Sequence, residues 1–203
     1  MGDPKFSRKK YETPFHPWQK DRMVEEDELC YRYGLKNKKE VWKAESLLRK
    51  WRRHARDLQA KLGTEEAKKE MALFLRKLYQ LGIVEENAVL DDVLALDIEK
   101  VLGRRLQTVA YLSGLAYTLS QARQLIVHGH IGIGGRKINI PSYLVRRGEI
   151  VEYVSKSPLK NEAHLSRPPP EFKPELPKKR LKEEEEKIEK IVAKVQPREE
   201  EME

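Results

Sequence analysis

The chain has 203 residues, a formal net charge of +8, 36% charged side chains and a hydrophobic share of 39%, below the usual apolar fraction of about 45–50%. That length suits one domain or two small ones at roughly 100–200 residues each, and its apolar runs fall far short of the ~20 residues that span a bilayer. The opening MGDPKFSRKK carries no apolar leader, and a single cysteine, Cys30, excludes an internal disulfide framework or a zinc site built on several thiolates.

The charge is partitioned along the chain. Residues 1–60 carry net +6, 61–103 net −3, 104–160 net +7 and 161–203 net −2. Two basic blocks around a mildly acidic one make an electrostatic footprint for a polyanion. A heat-adapted, Lys/Glu-rich surface also carries many charges. It would not leave Glu149 and Glu152 as the only carboxylates between 104 and 160.

Residues 1–20 read as a basic aromatic arm. Pro4, Pro14 and Pro17 break any regular element, while Phe6, Tyr11, Phe15, His16 and Trp18 interleave with Lys5, Arg8, Lys9 and Lys10. Rings can stack on unpaired bases as cations reach phosphates, which makes Lys9 and Lys10 candidate RNA contacts. The alternative is an arm whose rings pack on its own domain.

Residues 21–103 read as a helical domain. A short helix from Asp21 to Tyr33 ends at Gly34, and Asn37 can cap a longer one starting at Lys38. Its apolar residues Val41, Ala44, Leu48, Trp51, Ala55, Leu58 and Leu62 form one stripe. Arg49, Arg52 and Arg53 lie off that stripe among few acids and are further candidate RNA contacts. Gly63 and Thr64 stop this helix and cap the next, which repeats the spacing with Ala67, Met71, Phe74, Leu78 and Leu81. A helical hairpin, stripe to stripe, is expected. After the apolar piece Val89 to Leu96, Asp97 can cap a helix running through Val101 and Leu106 to Leu112.

Residues 104–157 read as two helices followed by a small antiparallel sheet. Thr118 can cap the helix LSQARQLIVH and Gly129 can end it. HIGIGGRKINI alternates Ile131, Ile133, Ile138 and Ile140 around Gly134-Gly135, a hairpin signal, and Glu149 to Val154 supplies a further strand. The fold class expected is therefore α+β, a helical N-terminal region joined to a two-helix and sheet domain. At 100° per residue Ser120, Gln121, Gln124 and His128 share the face opposite Leu119, Ala122, Leu125 and Ile126, with Arg123 at its border. A solvated face would mix Lys with Glu. This one has no carboxylate and suits phosphate oxygens and RNA grooves. Arg136, Lys137, Arg146 and Arg147 extend the basic surface. His128 and His130 read either as phosphate or 2′-OH contacts or as satisfied structural histidines.

From 158 to 203 the chain reads as a Pro-rich linker and a charged tail, extended or helical, whose net −2 argues against a place in the main RNA site. Catalytic signals are poor: no phosphate-binding G-x-x-x-x-G-K-[ST], no H-E-x-x-H and no G-x-S-x-G elbow occur. No enzyme activity, cofactor, metal or small-molecule substrate is expected.

RRLQT at 104–108 and SGLAYTLSQARQLIVHGHIGIGGRKINIPSYLV at 113–145 closely resemble the RNA-binding domain of the ribosomal protein S-four family. ETPFHPW, YGLKNKKEVWKAESLLRKWRR and ENAVLDDVLAL are similar to its archaeal and eukaryotic branch, the archaeal members above all, so the resemblance covers about residues 3 to 157. It implies a cytoplasmic, structural component of the small ribosomal subunit that binds 16S-type ribosomal RNA at a junction in the 5′ domain. It also implies nucleation of assembly, neighbouring small-subunit proteins as partners, an influence on translational accuracy and no membrane. The binding positions it implies are Arg104, Arg105, Ser120, Gln121, Arg123, Gln124, His128, His130, Lys137, Asn139, Ser142 and Tyr143. Some bacterial members hold zinc on four cysteines; with Cys30 alone, none is expected here. Rival readings are a stand-alone ribosome-associated or stress factor and a fragment of an RNA-modifying enzyme.

Overall fold

Thr64 and Thr118 stand where two amphipathic stripes begin, and in the computed structural model both hydroxyls cap: Thr64 Oγ1 accepts from Ala67 N at 3.4 Å and Thr118 Oγ1 from Gln121 N at 3.1 Å. The structure describes residues 8–61, 63–161, 164–169, 172 and 174–177. Leu62 of the first stripe, Lys5 and Phe6 of the arm, and the charged run after 177 lie outside them. Among the described residues the helices are α1 Lys20–Arg32, α2 Lys38–Gln59, α3 Glu65–Gln80, α4 Leu90–Leu94, α5 Ile98–Gly103, α6 Leu106–Leu112 and α7 Leu119–His128. The strands are β1 Ile131–Ile133, β2 Arg136–Lys137 and β3 Val151–Tyr153. The chain is α+β, with the helical region first.

Two hydrophobic cores follow from the two textures of the sequence. The first joins Val41, Ala44, Leu48, Ala55 and Leu58 of α2 to Phe74 and Leu78 of α3, and to Leu90, Val93, Val101 and Leu102 of α4 and α5, with Trp51 partly buried at its edge. The helical hairpin is present, with the His54 ring edge-on to Phe74 at 4.6 Å. α2 is also flanked by α1, α4 and α5, so its stripe is shared rather than covered by α3 alone. The second core joins Leu106 and Ala110 of α6, Ala122, Leu125 and Ile126 of α7, Ile131 of β1 and Val151 of β3, with Val145 and Leu159. The sheet order is β2-β1-β3, antiparallel throughout. Gly134 and Gly135 turn the hairpin with φ of 54° and 76°, the two positive values that a tight two-residue turn requires.

Three expectations need correction. Asp97 does not start one helix through to Leu112. The chain leaves the helix at Arg104 and Arg105, where Arg105 is extended (φ −68°, ψ 142°) and bridges Leu144. The competing partner is the segment 141–145: Leu106 N donates to Tyr143 O at 2.7 Å and Val145 N to Arg104 O at 2.9 Å. Thr108 Oγ1 donates to Leu102 O at 2.9 Å and closes the end of α5. Asn37 and Asp97 occupy N-cap positions without a side-chain capping bond. Strand pairing is also shorter than the alternation suggests: β2 ends at Lys137, Ile140 is exposed, and β3 begins at Val151 rather than Glu149.

Beyond 157 the described chain is fastened down. Tyr117 Oη donates to Arg167 O at 3.0 Å, Gln121 Nε2 to Ser166 O at 2.8 Å and Tyr111 Oη to Glu175 O at 3.1 Å. Phe172 packs on the Tyr117 ring at 5.6 Å, and Leu176 reaches the first core. This Pro-rich stretch runs across α6 and α7, beside the face expected to meet RNA. Its net charge alone does not suggest that position.

Candidate nucleic-acid interface

The basic residues of the sequence divide into those that join the two cores and those that face outward. Arg105 is only 6% exposed. With Arg123 it closes on the Glu40 carboxylate at the start of α2: Arg105 Nη2 donates to Glu40 Oε2, and Arg123 Nη2 donates to Oε1 at 2.8 Å. Burial alone would raise the Glu40 carboxyl, but the Arg123 hydrogen bond and the charges of both guanidinium groups offset that and hold it below its ordinary value. Buried Gln107 adds a neutral link, donating from Nε2 to Gly34 O at 2.8 Å and Leu119 O at 3.0 Å. Arg104 donates to Leu81 O at 3.0 Å and Val145 O at 2.7 Å. Arg147 N donates to Gln80 O at 2.6 Å, and its guanidinium lies 4.4 Å from the centroid of the Tyr79 ring. Four arginines of the basic block thus tie the second core to the first.

The outward set lies on three neighbouring pieces. On α7, Ser120, Gln124 and His128 are exposed. Gln121 on the same side is engaged, its Oε1 accepting from Tyr117 N at 2.7 Å while its Nε2 holds Ser166 O. At the hairpin Arg136, Lys137 and Asn139 are exposed. A Cβ at Gly129 would collide with the Lys137 side chain and touch Asn139 Oδ1, so the end of α7 and the strand β2 side form one surface. His130 sits back from it, its Nδ1 3.0 Å from Ser157 Oγ. In the turn after 141, Ser142 and Arg146 are exposed, while Tyr143 Oη donates to Glu149 Oε1 at 3.2 Å. Burial and the Glu149 charge push that phenol up.

Between α2 and this turn runs a groove of about 580 Å³ lined by Lys10, Lys43 and Lys50 with Ser142, Arg105 and Arg123. Glu40 is its one carboxylate among the described residues and is already neutralised. Lys43 and Lys50 stand outside the set of contacts chosen from the sequence. The signal for them is the spacing Glu40, Lys43, Leu47, Lys50, which lies along one side of α2. The other arginines of that helix differ from one another. Arg49 is ion-paired with Glu12 and Glu45, Arg52 donates to Leu96 O, and Arg53 is exposed.

In the arm, Tyr11 packs on Trp42 with ring centroids 6.0 Å apart, Lys9 Nζ lies 5.1 Å from the Tyr11 centroid, and Glu12 N donates to Ser46 Oγ at 3.0 Å. Phe15 and Trp18 stay 92% and 87% exposed. Among the described rings of the arm, Tyr11 therefore packs on the helical domain, while Phe15, Trp18 and His16, which stands edge-on to Phe15 at 4.7 Å, are exposed. No group of three or more His, Cys, Asp and Glu residues with metal-holding geometry occurs among the described residues. No helix among them is long and apolar enough to cross a membrane.

Comparison with known proteins matches residues 104–151 to the S4 domain and residues 3–103 to the ribosomal protein S4/S9 N-terminal domain. Small ribosomal subunit protein uS4 of Hyperthermus butylicus is 55% identical over 160 residues, 78% of this chain and 90% of that protein. The uS4 of Ignicoccus hospitalis is 51% identical over 78% of this chain and 96% of its own length. That of Thermoplasma acidophilum is 48% identical over 168 residues, 81% and 84% of the two chains. With two family matches in series along 3–151 and archaeal relatives at about half identity over nearly their whole length, the chain belongs to the uS4 family of small ribosomal subunit proteins.

Proposed function

We infer that the protein is a structural, non-catalytic component of the small ribosomal subunit that binds its ribosomal RNA and, through that particle, resides in the cytoplasm. The observation that carries this reading is the surface made by the end of α7, the hairpin and the lysine groove, where the lining carboxylate of Glu40 is neutralised from within. Such a surface attracts phosphate without desolvating a competing anion. The RNA recognised is 16S-type, at a 5′-domain junction, with neighbouring small-subunit proteins at its margin. Nucleation of assembly and an influence on translational accuracy follow from that position.

The contacting residues are Lys9, Lys10, Arg53, Ser120, Gln124, His128, Lys137, Asn139, Ser142 and Arg146, joined by Lys43 and Lys50. Arg49, Arg52, Arg104, Arg105, Gln121, Arg123, Tyr143 and Arg147 act chiefly by holding the elements that present them, and His130, tied to Ser157 by one ring nitrogen, borders the contacting set. The functional units are the arm to residue 20, the helical domain 21–103, the RNA-binding domain 104–157 and the segment that follows. Filter binding of the full chain to a transcript of the small-subunit 5′ domain, against transfer RNA as competitor, tests the reading. Preferential retention of the 5′-domain transcript is expected; equal competition by transfer RNA would overturn it.

A further inference from the structure

At the exposed face of α7, between it and the segment after 157, lies a smaller cavity of about 310 Å³, at the lower end of the range for ligand pockets. Its lining includes the apolar Leu125, Pro158 and Leu159, the imidazoles of His128, His130 and His164, and the amides of Gln121 and Gln124. The two imidazoles are nearly parallel, 24° between planes, with centroids 6.4 Å apart. That is close to twice the ~3.4 Å rise between stacked bases. Among the described residues the Gln124 amide has no hydrogen-bond partner. Among the described residues, no Lys, Arg, Asp or Glu lines the cavity. Just outside, the Lys137 side chain crosses Gly129, the residue between the two histidines.

This chemistry differs from that of the lysine groove. A phosphate seeks cations or clustered N–H donors, whereas planar rings over an apolar floor, with the Gln124 amide still unengaged, suit a planar, uncharged heterocycle that hydrogen-bonds at its edge. A base paired within an A-form helix cannot offer its face, so the occupant has to be unpaired. We propose that this cavity receives one extruded nucleobase of the bound RNA, stacked on the His128 and His130 imidazoles and hydrogen-bonded at its edge by Gln124, with Lys137 on the phosphate of the same nucleotide. The proposal rests on the RNA-binding reading above and adds a single-nucleotide site to it. It also gives the segment after 157 a part in binding, because Leu159 and His164 belong to that segment, which is held against α7 by the Gln121–Ser166 bond and the His130–Ser157 contact.

The test uses the full chain, the 5′-domain transcript and the variants His128→Ala and His128→Phe, with circular dichroism to establish folding. Stacking on one ring predicts about a tenfold loss of affinity for His128→Ala, an unchanged slope against salt, and near-wild-type affinity for His128→Phe, which keeps a plane and loses the nitrogens. Transcripts bearing a single abasic nucleotide, moved through the unpaired positions, should include one that matches the His128→Ala loss and adds nothing to it. Unchanged affinity in His128→Ala overturns the proposal. So does equal loss in Ala and Phe variants, which marks a nitrogen contact to phosphate or ribose, and so does the absence of any matching abasic position. In each of those results RNA binding itself survives; if the wild-type chain fails to prefer the transcript, the RNA-binding reading falls and the cavity proposal with it.

Discussion

Replacing Glu40 removes the carboxylate that two arginines of the second core share. Glu40 and Arg105 side chains are only 16% and 7% exposed, so the pair sits largely out of water. Breaking a buried ion pair by removing one partner costs about 3–5 kcal/mol, because the other charge is left without compensation. Arg123, 26% exposed at its side chain, can regain water and softens the loss, so about 3 kcal/mol is expected for Glu40→Ala. For a chain of this length each kcal/mol moves Tm by roughly 2–4 °C, giving a fall of about 6–12 °C. Glu40→Gln keeps an acceptor but not the charge and should lie between. The pH dependence has a definite sign. Because the folded carboxyl lies below its ordinary value, its contribution is fully present above the ordinary glutamate range and is lost as pH falls through the folded value. Urea midpoints measured from neutral pH down into the acid range should therefore converge for wild type and Glu40→Gln. Equal midpoints for Glu40→Ala and wild type at neutral pH would refute the assignment of this cluster as the link between cores.

Four further outcomes can be checked separately. Lys43→Ala combined with Lys50→Ala should weaken binding to the 5′-domain transcript and reduce the log K against log salt slope, expected at about −4 to −8 for the wild type, by roughly one per lysine; an unchanged slope would remove the groove from the interface. Gly34→Ala should lower stability by about 2 kcal/mol in urea unfolding, since φ is +59° and the new Cβ would stand 2.6 Å from Leu119 Cβ; a neutral effect would mean the close approach relaxes freely. Truncation after Ser157 removes Leu159 from the second core and should lower Tm, given about 1.5–3 kcal/mol for burying such a side chain. Truncation after Pro177 should leave both Tm and RNA affinity unchanged, and a loss of affinity there would assign RNA contacts to the charged tail.

Elements fixed by local chemistry were legible in the sequence. The stripes of α2 and α3, the caps Thr64 and Thr118, the stops at Gly34 and Gly129 and the Gly134-Gly135 turn each depend on neighbours a few residues away. The break at Arg104-Arg105 was not legible, because the groups that displace helical bonding there come from 141–145. The same holds for the site. The carboxylate-free face of α7 follows from periodicity, and Ser120, Gln124 and His128 do lie outward. Arg105 and Arg123 look like free cations in a count confined to 104–160. Their partner, Glu40, is more than sixty residues away and in a helix that itself reads as basic. A count of charge along the chain measures the field but not which charges are neutralised inside.

The central claim, that this chain is a resident RNA-binding part of the small ribosomal subunit, is tested most directly by quantifying it in small subunits sedimented from cell lysate through moderate salt. Stoichiometric retention with the particle is predicted. Substoichiometric amounts, or release at moderate salt while the core particle stays intact, would contradict it.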